Sequence, residues 1–124
     1  DILGLPLIYV RSKAKDHGLE NLIEGEMREN ARIVVIEDLI STGGSSLKAV
    51  EAIRQAGGNP IGMIASVTYG FPVAEQAFAD AKLPLVTLTD YKHIIEEALA
   101  TGYIQESDTE MLQDWRKDPA HWRQ

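Results

Sequence analysis

The chain has 124 residues, one domain's worth, and its 44% hydrophobic and 25% charged content belongs to a folded globular protein rather than a disordered one. A formal net charge of −7 speaks against a nucleic-acid-binding face, and no apolar run approaches the ~18 residues of a membrane-spanning helix. The absence of cysteine excludes disulfides and thiolate metal sites and fits a reducing cytoplasm.

The sequence opens at Asp1, without Met and without the basic segment of a secretion signal, and enters an apolar run almost at once. It therefore reads as the back part of a longer protein. Leu5 to Val10 is apolar, β-branched or aromatic and is expected to form a buried strand. Residues 11–26 carry Arg11, Lys13 and Lys15 at alternate positions, then Asp16, His17 and Gly18. With neither helical nor strand-like apolar spacing they are expected to form a long loop, which compact domains keep mainly for function. A strand follows over Arg32–Glu37, where four β-branched apolar residues, Ile33 to Ile36, end in the acids Glu37 and Asp38.

Beyond the small, hydroxyl- and glycine-rich stretch Ser41 to Ser46, Ser45 or Ser46 is expected to cap a helix bearing Leu47, Val50, Ile53 and Arg54 and stopping at Gly57-Gly58. A strand is predicted over Pro60–Tyr69, a helix from Pro72 with Val73, Ala74, Ala77, Phe78 and Ala81, and a short strand over Leu85–Leu88. Thr89 or Asp90 caps a helix with Ile94, Ile95, Ala98 and Leu99. A capping-box pattern, Ser107 with Glu110, precedes Met111, Leu112 and Trp115, a stripe that reads as a docking face. The residues from Lys117 onward are expected to be loosely held. Strands alternating with helices predict an α/β fold, a parallel sheet with helices on its faces.

Ligands of such sheets lie outside the carboxyl ends of the strands. There the chain offers Thr42-Gly43-Gly44-Ser45-Ser46 at a helix start. Glycines let the backbone approach a ligand, and unpaired N–H groups with the helix dipole favour an anion. Glu37 and Asp38, to one side, can accept hydrogen bonds from sugar hydroxyls, so a sugar phosphate fits the pattern. The turn is neither a Walker loop nor a dinucleotide fingerprint, for lack of the lysine of the one and the third glycine of the other. The three histidines are too scattered for a metal site; His93 reads as a surface residue and His121 as part of the tail.

Ile33 to Ser46 resembles the phosphoribosyl-pyrophosphate signature of type I phosphoribosyltransferases. Arg11, Lys15, His17 and Gly18, with the Glu24-Gly25 pair that follows, resemble the mobile catalytic loop of the orotate phosphoribosyltransferases among them, and Thr87 to Tyr91 adds to the likeness. The resemblance covers most of the chain, 1–124, as a partial phosphoribosyltransferase core with 11–26 as the loop and 105–124 as C-terminal helix and tail. It implies transfer of phosphoribose from phosphoribosyl pyrophosphate to orotate, giving orotidine 5′-monophosphate and pyrophosphate.

The same resemblance implies roles. Lys15 is the foremost catalytic residue, with Arg11 and His17 on the pyrophosphate. Glu37 and Asp38 hold the ribose hydroxyls, and Asp38 assists proton movement. The substrate-binding run continues through Leu39 and Ile40, with Ser41, Thr42, Gly43, Gly44 and Ser45 on the 5-phosphate; Ser41 also reaches orotate. Mg²⁺ is implied as cofactor, held mainly by substrate and water rather than by side chains. A cytoplasmic homodimer is implied too, with loop 11–26 reaching the neighbouring site.

Two positions depart from the family pattern. Ser12 stands where some members have a second basic residue, and Thr68-Tyr69-Gly70 where some place an orotate-binding arginine. The family's pyrophosphate turn and hood precede the first strand here, so the 124 residues alone are expected to give no useful turnover. The alternatives are a purine-base phosphoribosyltransferase, a non-catalytic phosphoribosyl-pyrophosphate-binding regulator, and an inactive fragment.

Overall fold

Three parallel strands form the frame of the computed structural model, which describes residues 2–11 and 22–122. They are β3 (Arg32–Ile40), β4 (Asn59–Thr68) and β5 (Leu85–Asp90), hydrogen-bonded in the order β3-β4-β5. Ile36 pairs with Ile64, and Ile64 with Val86. A separate antiparallel ribbon joins β1 (Tyr9–Val10) to β2 (Ile23–Glu24). The helices are α1 (Gly44–Gln55), α2 (Pro72–Asp80), α3 (Tyr91–Ala100) and α4 (Glu106–Lys117).

Side chains alternate across a strand, so each strand offers two faces. One face meets α1 and α2: Val35, Met63, Ala65 and Leu85 pack with Val50, Ala74, Phe78 and Leu83, and Ile40, at the end of β3 and out of the alternation, joins them. An Arg54 guanidinium N–H donates to the Ala81 carbonyl at 2.7 Å, which ties α1 to the end of α2. The other face carries Val34, Ile36, Ile64, Val86 and Leu88, all exposed among the described residues; Ile36 is 68% and Leu88 78% accessible. Among the described residues, α1 and α2 cover the first face and leave these side chains of the second exposed.

Several local expectations are corrected. Leu5 to Val10 is no buried strand: only Tyr9–Val10 pairs, and Leu5, Leu7 and Tyr9 are exposed because no described residue packs over them. Within the expected loop, Ile23–Glu24 is a strand, and Arg11 N–H donates to the Leu22 carbonyl at 2.7 Å. The helix after β3 begins at Gly44 behind Gly43, with no side-chain cap. The capping box of α4 is Gln105 with Asp108, not Ser107 with Glu110. Asp108 Oδ2 accepts from the Gln105 N–H at 2.9 Å, and Ser107 already lies inside the helix. Pro119–His121 forms a 3₁₀ turn, in which the His121 ring meets the Asp118 carboxylate at 2.9 Å.

Candidate functional site

β3 runs three residues further than its sequence pattern suggested, so Asp38 lies within the strand along with Glu37. Adjacent strand positions point to opposite faces. Glu37 turns toward α1, where buried Ser46, 3% accessible, donates its hydroxyl hydrogen to Glu37 Oε2 at 2.8 Å. Asp38 is exposed, and its Oδ1 accepts from the Leu39 N–H at 2.6 Å. The two acids therefore act separately: one is fixed against the helix, the other stands in solvent.

Ser41 and Thr42 lead from the strand into the turn, both exposed, and Ser45 is exposed on the first turn of α1. Gly43 is the hinge, with φ +81°, a conformation that costs side-chain-bearing residues but not glycine. A Cβ there would come within 2.9 Å of the buried Phe78 ring, whereas one at Gly44 would meet nothing closer than 3.8 Å. The Gly43 carbonyl accepts from the Leu47 N–H at 2.9 Å, so the first helical bond is made while no side chain closes the turn. Among the described residues no side chain caps the N–H groups at the start of α1, at the positive end of the helix dipole. Ile40 is wholly buried, so its side chain is core and only its backbone borders the turn.

Arg11 is described and pairs with Glu24 across the β1–β2 ribbon. Lys15 and His17 lie outside the described residues, so the expected grouping of the three cations is not placed. Among the described residues no three His, Cys, Asp or Glu side chains gather as a metal cluster, and none of the helices is long and apolar enough to cross a membrane.

A second group, absent from the sequence-based site, sits at the carboxyl end of β4. The Tyr69 N–H donates to the Ile40 carbonyl at 3.1 Å, joining the ends of β4 and β3 immediately before the turn. The Tyr69 ring packs against Phe71, Tyr91 and Trp115, with centroids 5.4, 5.7 and 5.2 Å away. Arg116 of α4 donates from Nε to the Tyr69 carbonyl and from Nη2 to the Gly70 carbonyl, each at 2.9 Å. Tyr91 donates its hydroxyl hydrogen to the Leu112 carbonyl at 3.0 Å. Burial first, then the Tyr69 phenol, holds the Tyr91 pKa above its ordinary value, against an opposing pull from Arg116. The sequence signal was the docking stripe ending at Trp115; that the next residue clamps a loop 46 positions earlier was not readable from spacing.

At the carboxyl end of β5, Asp90 caps α3. It accepts from the His93 N–H at 3.0 Å and meets the His93 ring at 2.7 Å, with its carboxyl held below the usual range, chiefly by that backbone bond. His93 is exposed and engaged with this cap, as a surface residue would be.

Replacing Ser46 by alanine removes the bond that fixes Glu37. The expected cost is about 1.5–3 kcal/mol in urea unfolding, typical of a hydrogen bond to a charged group.

A parallel sheet whose first long strand runs through an acid pair into a glycine turn at a helix start is the arrangement of the type I phosphoribosyltransferase fold. No family model matches the chain. It is 69% identical over 122 residues to the orotate phosphoribosyltransferase of Bacteroides fragilis, covering 98% of the chain and 58% of that protein. The structure matches that of UMP synthase from Leishmania donovani with a TM-score of 0.81, at 22% identity over 94% of this chain and 25% of that one, a likeness of fold alone. It also matches the orotate phosphoribosyltransferase of Mycobacterium tuberculosis in complex with phosphoribosyl pyrophosphate. There the TM-score is 0.58, at 29% identity over 73% of this chain and 54% of that one.

The fold is that of the type I phosphoribosyltransferases. Over nearly its whole length the chain is similar to orotate phosphoribosyltransferases, and it spans 58% of the length of the relative that it matches at 69% identity.

Proposed function

We propose that the protein transfers phosphoribose from phosphoribosyl pyrophosphate to orotate, with this chain supplying the donor side of the site. The observation that carries the reading is the glycine turn Ser41–Ser45 at the uncapped start of α1, beside Glu37 and Asp38 at the end of one strand. The turn takes the 5-phosphate on the first N–H groups of α1 and the hydroxyls of Ser41, Thr42 and Ser45. Glu37, held by Ser46, and Asp38, standing in solvent, take the ribose hydroxyls. Leu39 and Ile40 contribute backbone between acids and turn.

In the reaction a ring nitrogen of orotate forms a bond to the anomeric carbon while the bond to the pyrophosphate oxygen breaks, and its electron pair leaves with pyrophosphate. Positive charge develops on the ribose ring and negative charge on the leaving group. Residues 11–26 act as the catalytic loop: Lys15, with Arg11 and His17, stabilises the departing pyrophosphate, and closure excludes water. Asp38 assists proton movement near the reacting centre. The donor atoms that the turn region offers are carboxylate and hydroxyl oxygens, a hard set suited to Mg²⁺. Held mainly by substrate and water, that ion would supply charge neutralisation at the pyrophosphate, with the solvent-exposed Asp38 as a carboxylate that could meet its hydration shell. The working form is a homodimer in which loop 11–26 reaches the neighbouring site. A cytoplasmic location accords with a chain that lacks cysteine.

The test is orotate consumption by the protein expressed from its complete reading frame, with phosphoribosyl pyrophosphate and Mg²⁺. Pyrophosphate release should match orotate loss one for one, and chelating the metal should abolish both. Pyrophosphate release without orotate loss would contradict the acceptor.

A further inference from the structure

The loop between β4 and α2 is held from the far end of the chain. Thr68 accepts the Gly70 N–H on its own hydroxyl at 3.0 Å, and the Tyr69 N–H reaches Ile40. The Phe71 carbonyl accepts from the Ala74 and Glu75 N–H groups of α2, and the Tyr69 and Gly70 carbonyls take the fork of Arg116, two parallel N–H bonds to consecutive carbonyls. A guanidinium makes such a fork with one rigid plane, which a lysine ammonium cannot reproduce. Gly70 has φ +66°, and a Cβ there would come within 3.2 Å of Arg116 Nη2, so the loop is shaped around the guanidinium. Trp115, next to Arg116, packs its ring on Tyr69, Phe71 and Tyr91 and seats α4 so that the fork is in register.

The glycine turn depends on other contacts. Gly43 packs on Phe78, Ser46 holds Glu37, and the Gly43 carbonyl accepts from Leu47. None of these involves α4. The carboxyl ends of the strands thus have two sets of side-chain holds, α1 and α2 on the donor turn and α4 on the β4–α2 loop, linked by the backbone bond from Tyr69 to Ile40.

We propose that Arg116 is a positioning residue for the acceptor, fixing the Tyr69–Gly70 loop from the C-terminal helix without itself entering the donor site. The inference rests on the orotate-transfer reading above. It assigns to α4 a share in binding the planar, anionic acceptor, at a loop whose own side chains are Thr68, Tyr69 and Phe71.

The experiment compares wild type, Arg116→Lys and Arg116→Ala in the protein expressed from its complete reading frame. Steady-state kinetics are measured in each substrate, with phosphoribosyl pyrophosphate affinity by calorimetry. In Arg116→Ala the KM for orotate should rise roughly tenfold, with kcat within about threefold and donor affinity unchanged. Arg116→Lys should recover only part of the loss. Hydrogen exchange should quicken at the Tyr69–Phe71 amides and not at Ser41–Ser46. An unchanged orotate KM, or equal losses for both substrates, overturns the proposal. A wild type that does not consume orotate sinks the functional reading itself and this inference with it, whereas an active wild type with an indifferent Arg116→Ala sinks the inference alone.

Discussion

Replacing Lys15 by alanine should lower kcat by about 10²–10³-fold while leaving phosphoribosyl pyrophosphate affinity within a few-fold of wild type. The magnitude is that of removing one preorganised charge partner from a transition state. Charge on the leaving group builds only as the bond breaks, so a cation aimed at it stabilises the transition state more than the bound substrate. Arg11→Ala should cost less, because Arg11 is anchored to Glu24 on the β1–β2 ribbon and shares its charge with that carboxylate. The check is steady-state kinetics of both variants, with donor affinity by calorimetry. Equal loss of kcat and of donor affinity in Lys15→Ala would assign Lys15 to ground-state binding instead.

Gly43→Ala should damage the donor side directly. The new methyl group would sit 2.9 Å from the Phe78 ring, a buried side chain with little room to retreat. The left-handed backbone at Gly43 adds a strain that only glycine escapes, together about 1–3 kcal/mol of stability. Relief comes from moving the turn, and moving the turn misaligns the first N–H groups of α1. Phosphoribosyl pyrophosphate affinity should fall roughly tenfold or more. Gly44→Ala is the matched control: its Cβ meets nothing closer than 3.8 Å, and its residue is helical, so the fold should be unharmed. Thermal unfolding and calorimetry on both variants check the pair; equal behaviour would remove Gly43 as the hinge.

The sequence was most readable where one physical cause dominated. Ile33 to Ile36 could be read as a strand because continuous β-branched apolar runs pair well, and Pro72 could start α2 because its missing N–H costs nothing there. Asp90 capping α3 followed from its short acceptor side chain. The glycine turn was visible too, as small residues between a strand and a helical pattern.

Competing causes blurred the rest. Leu5 to Val10 has strand composition, but composition does not say what will cover it, and nothing described does. Ser107 with Glu110 has capping-box spacing and the commoner cap residue, but Gln105 with Asp108 has the same spacing and is the pair that closes α4. Ser46 looked like a cap and is instead the partner of Glu37, an arrangement set by how α1 lies on the sheet. The Arg116 fork joins residues too far apart in sequence for any periodicity to connect them.

The most direct test of the account offers orotate and a purine base, adenine, together at equal concentration. The protein is expressed from its complete reading frame and supplied with limiting phosphoribosyl pyrophosphate and Mg²⁺, and the nucleotide products are identified by mass. Orotidine 5′-monophosphate should form, equal in amount to the pyrophosphate released, with no purine nucleotide beside it. A purine nucleotide as the main product would contradict the acceptor, and donor binding without any nucleotide would contradict transfer itself.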